Sequence, residues 1–228
     1  LLAGYGVRVP VEVIPTGLDL ERLRQAPDPA LRGALGLTGR GPVFLYLGRL
    51  AKEKNIPELI GALPRIPRGT LLIAGDGPER AALQAHAEAL GLADRVRFAG
   101  MVPPDEVGCY YALADAFVSA STSEAQGLTY LEALAAGVPL LCRDDPCVRG
   151  FLAAAPCGWT YRTPGELAAL AAALPCGAEA APLRRAARQA AAPYSREQFG
   201  MAVEALYRRL ILQRAVAPLP AGRRVILW

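Results

Sequence analysis

Short apolar runs alternate with amphipathic or alanine-rich runs along most of this chain, and that alternation leaves few folds open. Val43–Leu47, Thr70–Ala74, Val96–Ala99, Ala116–Ala120 and Pro139–Cys142 are β-prone, and Val11–Ile14 and Gly158–Tyr161 read as two further strands. Ile56–Leu63, Glu79–Leu90, Glu106–Ala112 and Leu128–Ala136 read as helices between them. Strands that alternate with helices predict an α/β fold, a Rossmann-like parallel sheet with helices on both faces. Its crossovers are right-handed, and its ligands bind beyond the carboxyl ends of the strands. Toward the C-terminus, residues 175–193 read as a loose helix pair and Glu197–Leu212 as an amphipathic helix.

The chain has 228 residues, room for one large or two small domains, and at 53% hydrophobic it can bury a core. It does not begin with Met; Leu1-Leu2-Ala3-Gly4-Tyr5-Gly6-Val7 reads as a helix end rather than a signal peptide, so an N-terminal half is expected to be absent. The net charge of +4 makes no case for nucleic acid. Cys109, Cys142, Cys147, Cys157 and Cys176 contain no C-x-x-C pair and read as free thiols of a cytoplasmic protein. No metal site is expected, and the single histidine, His86, falls on a helix surface. No apolar run reaches the roughly 18 residues of a membrane span. The only lysines, Lys52 and Lys54, share one loop: either an arginine-rich composition left two by chance, or the loop needs a compact ammonium.

The stretch Ser123-Glu124-Ala125-Gln126-Gly127-Leu128-Thr129-Tyr130-Leu131-Glu132 carries the most chemistry. It joins a strand to a helix that Gly137 and Pro139 terminate. The helix start at Gly127, Leu128 and Thr129 offers unpaired amides and the positive dipole end, which favour a phosphate. Gly127 allows close approach to the backbone. Glu124 and Glu132 would repel a diphosphate, so they fit a ligand that also carries hydroxyls, from which carboxylates accept hydrogen bonds. The plain alternative is a solvated helix residue and a dipole partner.

These residues resemble the E-x7-E signature of retaining family-4 glycosyltransferases, whose fold is GT-B. Ser119 to Tyr130 is similar to the bacterial branch that glucosylates diacylglycerol, with Ala125 where that branch has Thr. The resemblance implies the donor half of a GT-B enzyme that transfers a hexose from a nucleoside-diphosphate sugar, UDP-glucose above all, to a diacylglycerol-type lipid with retention and without a metal or other cofactor. It places Glu124 on the sugar hydroxyls and Glu132 on the ribose. Domain limits follow: 1–10 as the end of the absent domain, 11–194 as the nucleotide-sugar domain, 195–214 as a helix crossing back, and 215–228 as a tail. It also implies peripheral contact with the inner face of the cell membrane through the absent half.

Gly48-Arg49-Leu50-Ala51-Lys52-Glu53-Lys54-Asn55 resembles the G-R-L-x-x-E-K-N loop, which carries over Arg49 and Lys54 as a diphosphate clamp and leaves Lys52 outside it. Cations there would stabilise the charge growing on the leaving diphosphate. Gly75-Asp76-Gly77-Pro78 serves either as a turn or, by resemblance, as a nucleotide-side glycine loop. Met101 and Val102 either pack or hold the base. Gly17, in Ile14-Pro15-Thr16-Gly17-Leu18-Asp19, resembles a residue lining an interdomain cleft. Asp144-Asp145 reads as a turn near the acceptor. Two other readings stay open: a same-family transferase with a polysaccharide or soluble glycoside acceptor, and a non-catalytic nucleotide-sugar-binding module.

Overall fold

Six of the seven strand-like runs form one parallel sheet in the computed structural model, which describes residues 2–39, 41–121 and 124–216. The strands are β1 (Val43–Leu47), β2 (Thr70–Ala74), β3 (Val96–Gly100), β4 (Ala116–Ser119), β5 (Leu140–Arg143) and β6 (Gly158–Tyr161), in the order β3-β2-β1-β4-β5-β6. The helices are α1 (Leu20–Leu23), α2 (Pro29–Ala34), α3 (Ile56–Ala62), α4 (Arg80–Ala89), α5 (Val107–Ala112), α6 (Leu128–Ala136), α7 (Pro146–Ala154), α8 (Pro164–Ala172), α9 (Ala181–Ala191) and α10 (Arg196–Val216).

Both sheet faces are covered, which is why the strands read as continuous apolar runs and not as alternating ones. Phe44, Tyr46, Leu71, Ile73 and Val118 join Ile56, Ile60 and Leu63 of the α3 side and Leu167 and Ala171 of α8 in one core. Across the sheet Phe117 meets Tyr111 of α5 and Tyr130 of α6, with ring centroids 6.1 and 5.7 Å away. There α6 packs on α9, both lined with buried alanines, and a Cβ on Gly137 would lie 2.7 Å from Arg188 Nε.

Three short helices follow a capping residue and open on a proline. Asp28, Asp145 and Thr163 each accept a hydrogen bond from an amide of the helix they start, and Pro29, Pro146 and Pro164 come next. Asp144-Asp145 is therefore more than a turn: Asp145 caps α7, with Val148 N–H donating to its Oδ1 at 3.0 Å. The expected helix pair at 175–193 is a 3-10 turn (Gly177–Ala180) running into α9.

The chain divides into two compact units, one of Asp19–Pro193 and one joining the segment up to Leu18 to the segment from Tyr194. The larger unit runs from Asp19 to Pro193. Val11–Ile14 is not a strand. Its alternation has no partner among the described residues to satisfy it, and Val11 and Val13 stand 54% and 84% exposed. In this smaller unit Leu18 forms a lone parallel bridge with Ser195, Arg209 pairs with Glu12, and α10 runs on to Val216. The expected tail lies outside the described residues from 217 onward.

The loops after β1 and β2 lie in backbone contact. Gly48 N–H donates to Ala74 O at 3.0 Å, Leu50 N–H to Asp76 O at 2.9 Å and Gly75 N–H to Gly100 O at 2.7 Å. A Cβ on Gly75, at φ +132°, would sit 2.0 Å from Gly48 O. Gly75→Ala should therefore destabilise the chain by about 3 kcal/mol or more. Gly61→Ala, inside α3 with nothing within 4 Å of its Cβ, should be neutral or stabilise by about 0.5–1 kcal/mol. Urea unfolding of the two variants checks both signs.

Candidate active site

Strand order reverses direction between β1 and β4, so their connections leave in opposite senses and open a crevice at the carboxyl ends. The loops lining it are residues 48–55, after β1, and, after β4, the described residues 120–121 and 124–127. They are bridged by Lys54 Nζ and Glu124 Oε1 at 2.6 Å, with side chains 23% and 17% exposed. Two residues that lie 70 apart in sequence thus meet at the point where a ligand of such a sheet binds.

Local backbone explains where Lys54 stands. It ends a 3-10 turn (Lys52–Lys54), its N–H donating to Ala51 O at 3.0 Å. Asn55 follows in the left-handed region at φ 48°, ψ 39°, the one non-glycine residue with positive φ among those described, and α3 starts after it. Asn55 Nδ2 donates to Glu58 Oε2 at 3.0 Å, and Arg143 Nη1, at the end of β5, lies 2.6 Å from both Glu58 oxygens.

Helix α6 starts at Gly127, whose φ of 64° and ψ of 50° suit glycine. A Cβ there would lie 2.8 Å from the Tyr130 ring and 2.9 Å from Cys147 Sγ. The first amides bonded within the helix are those of Tyr130 and Leu131, both donating to Gly127 O. Gly127 has no side chain to cap those of Leu128 and Thr129, so this end suits an anion. Burial and the charges of Asp145 and Glu124 push the Cys147 thiol up to about 11.

Glu132 lies on α6 facing α5. Tyr111 Oη is 3.0 Å from Glu132 Oε2 and 3.1 Å from Thr129 O, so its single proton is shared between the two acceptors. Burial raises the Glu132 carboxyl above its ordinary value, and the Tyr111 hydrogen bond partly opposes that. Burial first, then the Glu132 charge, raises the Tyr111 phenol.

The other sequence candidates divide. Arg49 is not brought to the pair: it is 69% exposed and bonded at 2.6 Å to Glu53 of its own loop. Gly48, Gly75 and Gly77 sit at the carboxyl ends; backbone crowding requires Gly75 and Gly77, where a Cβ would meet Gly48 O at 2.0 Å and Leu50 O at 2.4 Å. Met101, 79% exposed, and Val102 follow β3. Gly17 belongs to the other unit, where a Cβ would fall 2.6 Å from Phe199 Cβ and 2.7 Å from Arg196 Cα, so close packing on the start of α10 explains it. Sequence reading missed Tyr111, Asn55, Glu58 and Arg143. Only Asn55 carried a signal, as a residue type that tolerates the left-handed region between a turn and a helix. Among the described residues no three His, Cys, Asp or Glu side chains group to hold a metal ion, and no helix is long and apolar enough to cross a membrane.

Glu132→Gln keeps an acceptor for Tyr111 and removes a buried charge. Because the folded carboxyl is raised, the folded state holds its proton more tightly than the unfolded state does, and this stabilising contribution is lost as pH climbs above the ordinary value of about 4.3. The variant lacks that loss, so at neutral pH it should be more stable by about 1 kcal/mol. Melts at pH 4 and pH 7 should show the gap opening only at the higher pH.

Comparison with known proteins agrees with this geometry. Residues 28–192 match the family described as glycosyl transferases group 1. The alpha-monoglucosyldiacylglycerol synthase of Streptococcus pneumoniae is 38% identical over 177 residues, which is 74% of this chain and 40% of that protein. The enzyme of the same name from Acholeplasma laidlawii is 32% identical over 209 residues, 87% of this chain and 52% of that protein. The chain thus spans about half the length, or less, of these relatives. Among solved structures, sucrose-phosphate synthase from Thermosynechococcus elongatus superposes with a TM-score of 0.77 at 28% identity, covering 89% of this chain and 53% of that one. The reversal of strand order, the carboxylate–ammonium pair set across it and the match over 28–192 together make this chain a member of the glycosyl transferases group 1 family.

Proposed function

We propose that this chain is the donor-binding half of a retaining glycosyltransferase that moves a hexose, glucose first, from a nucleoside-diphosphate sugar to a diacylglycerol-type lipid. The observation that carries the reading is the Lys54–Glu124 pair at the mouth of α6. Neither charge suits the site alone, and each matches one part of such a donor. The diphosphate takes the Lys54 ammonium and the Leu128 and Thr129 amides. Glu124, released, accepts hydrogen bonds from sugar hydroxyls, and Glu132 accepts one from the ribose. Arg49 reaches the diphosphate by exchanging Glu53 for it, an exposed pair being cheap to break.

In the transfer, the bond from the sugar's anomeric carbon to the phosphate oxygen breaks and the bond to the acceptor oxygen forms on the same face. The acceptor proton passes to the departing phosphate. Lys54 meets the charge that grows there, so it stabilises the transition state more than the bound donor. Protein cations carry that charge in this scheme, which needs no metal ion. The names of the two synthases support glucose and diacylglycerol. An alpha-glucoside made from alpha-linked UDP-glucose keeps its configuration, which supports retention. A soluble acceptor is the second reading, because the lipid would be held mainly by residues outside this chain, as would a peripheral contact with the inner face of the cell membrane.

Turnover by the full-length protein, with UDP-glucose against GDP-mannose and diacylglycerol vesicles against soluble sugars, tests donor and acceptor. Lys54→Ala should lower kcat/KM by about 10²–10³. Glu124→Gln should lower turnover comparably, yet bind UDP alone several-fold more tightly, because the carboxylate that competes with the diphosphate for Lys54 is gone. Unchanged turnover in Glu124→Ala would sink the catalytic assignment and leave a nucleotide-sugar-binding module.

A further inference from the structure

Resting on the donor-site reading above, we propose that Asn55, Glu58 and Arg143 are positioning residues that hold Lys54 in its diphosphate-binding place. Lys54 is the last residue of a 3-10 turn, and the chain leaves it through a single left-handed residue. A residue with a Cβ enters that region at a cost, and it does so where its surroundings over-determine it. Here the determinant is visible: the Asn55 amide donates to Glu58 Oε2 at 3.0 Å. Glu58 is in turn held by Arg143, at 2.6 Å to each oxygen, with side chains 13% and 28% exposed. Arg143 belongs to β5 and Glu58 to α3, so the contact reaches past β4, the strand between β1 and β5. It ties the Lys54 loop to the part of the sheet that carries Glu124. Tyr161 Oη, donating to Ser119 O at 3.1 Å, fixes the end of β4 from the β6 side.

These contacts join Asn55, Glu58 and Arg143 to one another and not to Lys54 or Glu124. Their effect would pass through one side chain, and that makes it separable from general stability. If Asn55 leaves the left-handed region, α3 starts in a different direction and the ammonium no longer stands 2.6 Å from Glu124.

The test is UDP binding by calorimetric titration of the full-length protein, in a double-mutant cycle. Asn55→Ala and Glu58→Ala are each expected to weaken UDP binding about tenfold when Lys54 is present, and less than about twofold in a Lys54→Ala background. An equal loss in both backgrounds would mean a merely structural role and would overturn the proposal, as would no loss in either. If Asn55→Ala does not fold, Asn55→Gly carries the test. Glycine permits the left-handed backbone but drops the amide that holds it there, so the turn is free to move, and the variant's loss must again disappear with Lys54. A Lys54→Ala protein that binds UDP as tightly as wild type would remove the donor-site reading itself. A Lys54→Ala protein that binds weakly, beside silent Asn55 and Glu58 variants, would leave that reading intact and remove only this proposal.

Discussion

A parallel sheet buried on both faces has no room for charge along its strands, and the placement of chemistry in this protein follows from that. β1, β2, β4 and β5 are almost wholly apolar and buried. Charged side chains would lose their hydration there without compensation. The buried polar side chains among the described residues are Ser119, Ser121 and Asp145, and all three lie at or just past the carboxyl ends of β4 and β5. Polar function is thus pushed to one rim of the sheet. The reversal of strand order then selects one place on that rim, between the loops after β1 and β4.

At that place the two charges balance. A lone ammonium or a lone carboxylate with under a quarter of its side chain exposed would be costly. Joined at 2.6 Å they are tolerated. The contrast with Arg49 and Glu53 is instructive. That pair has the same 2.6 Å separation but lies at 69% and 52% exposure, where water and salt screen it and little holds it in place. Equal distances therefore mean different things: one pair is part of a built crevice and the other is a surface contact.

The sheet was legible in the sequence because burial on both faces leaves uninterrupted apolar runs, and β1, β2, β6 and α6 fall on the residues expected. Val11–Ile14 shows where that logic stops. Its residues suit a strand, but a strand exists only by pairing, and no single-chain pattern reports the absence of a neighbour. The opposite failure concerns α2, α7 and α8. They are short, but Asp28-Pro29, Asp145-Pro146 and Thr163-Pro164 each announce a helix start by cap and proline. Lys54 and Glu124 were named from motif context, though nothing local could show that they touch. The contacts of Tyr111 with Glu132 and of Arg143 with Glu58 join residues 21 and 85 apart, and only the fold brings these together.

The spacing of the two carboxylates has a geometric reason that the sheet supplies. Glu124 precedes the left-handed Gly127, in the loop, and can reach across the crevice to the β1 side. Glu132 lies on α6 beyond its first turn and faces Tyr111 of α5. The N-terminus of α6 lies between them in the sequence. In the proposed reading one carboxylate is thus set on each side of a helix N-terminus that suits a phosphate. Moving Glu132 by one residue would turn it about 100° around the helix, away from Tyr111 and toward α9 or the sheet.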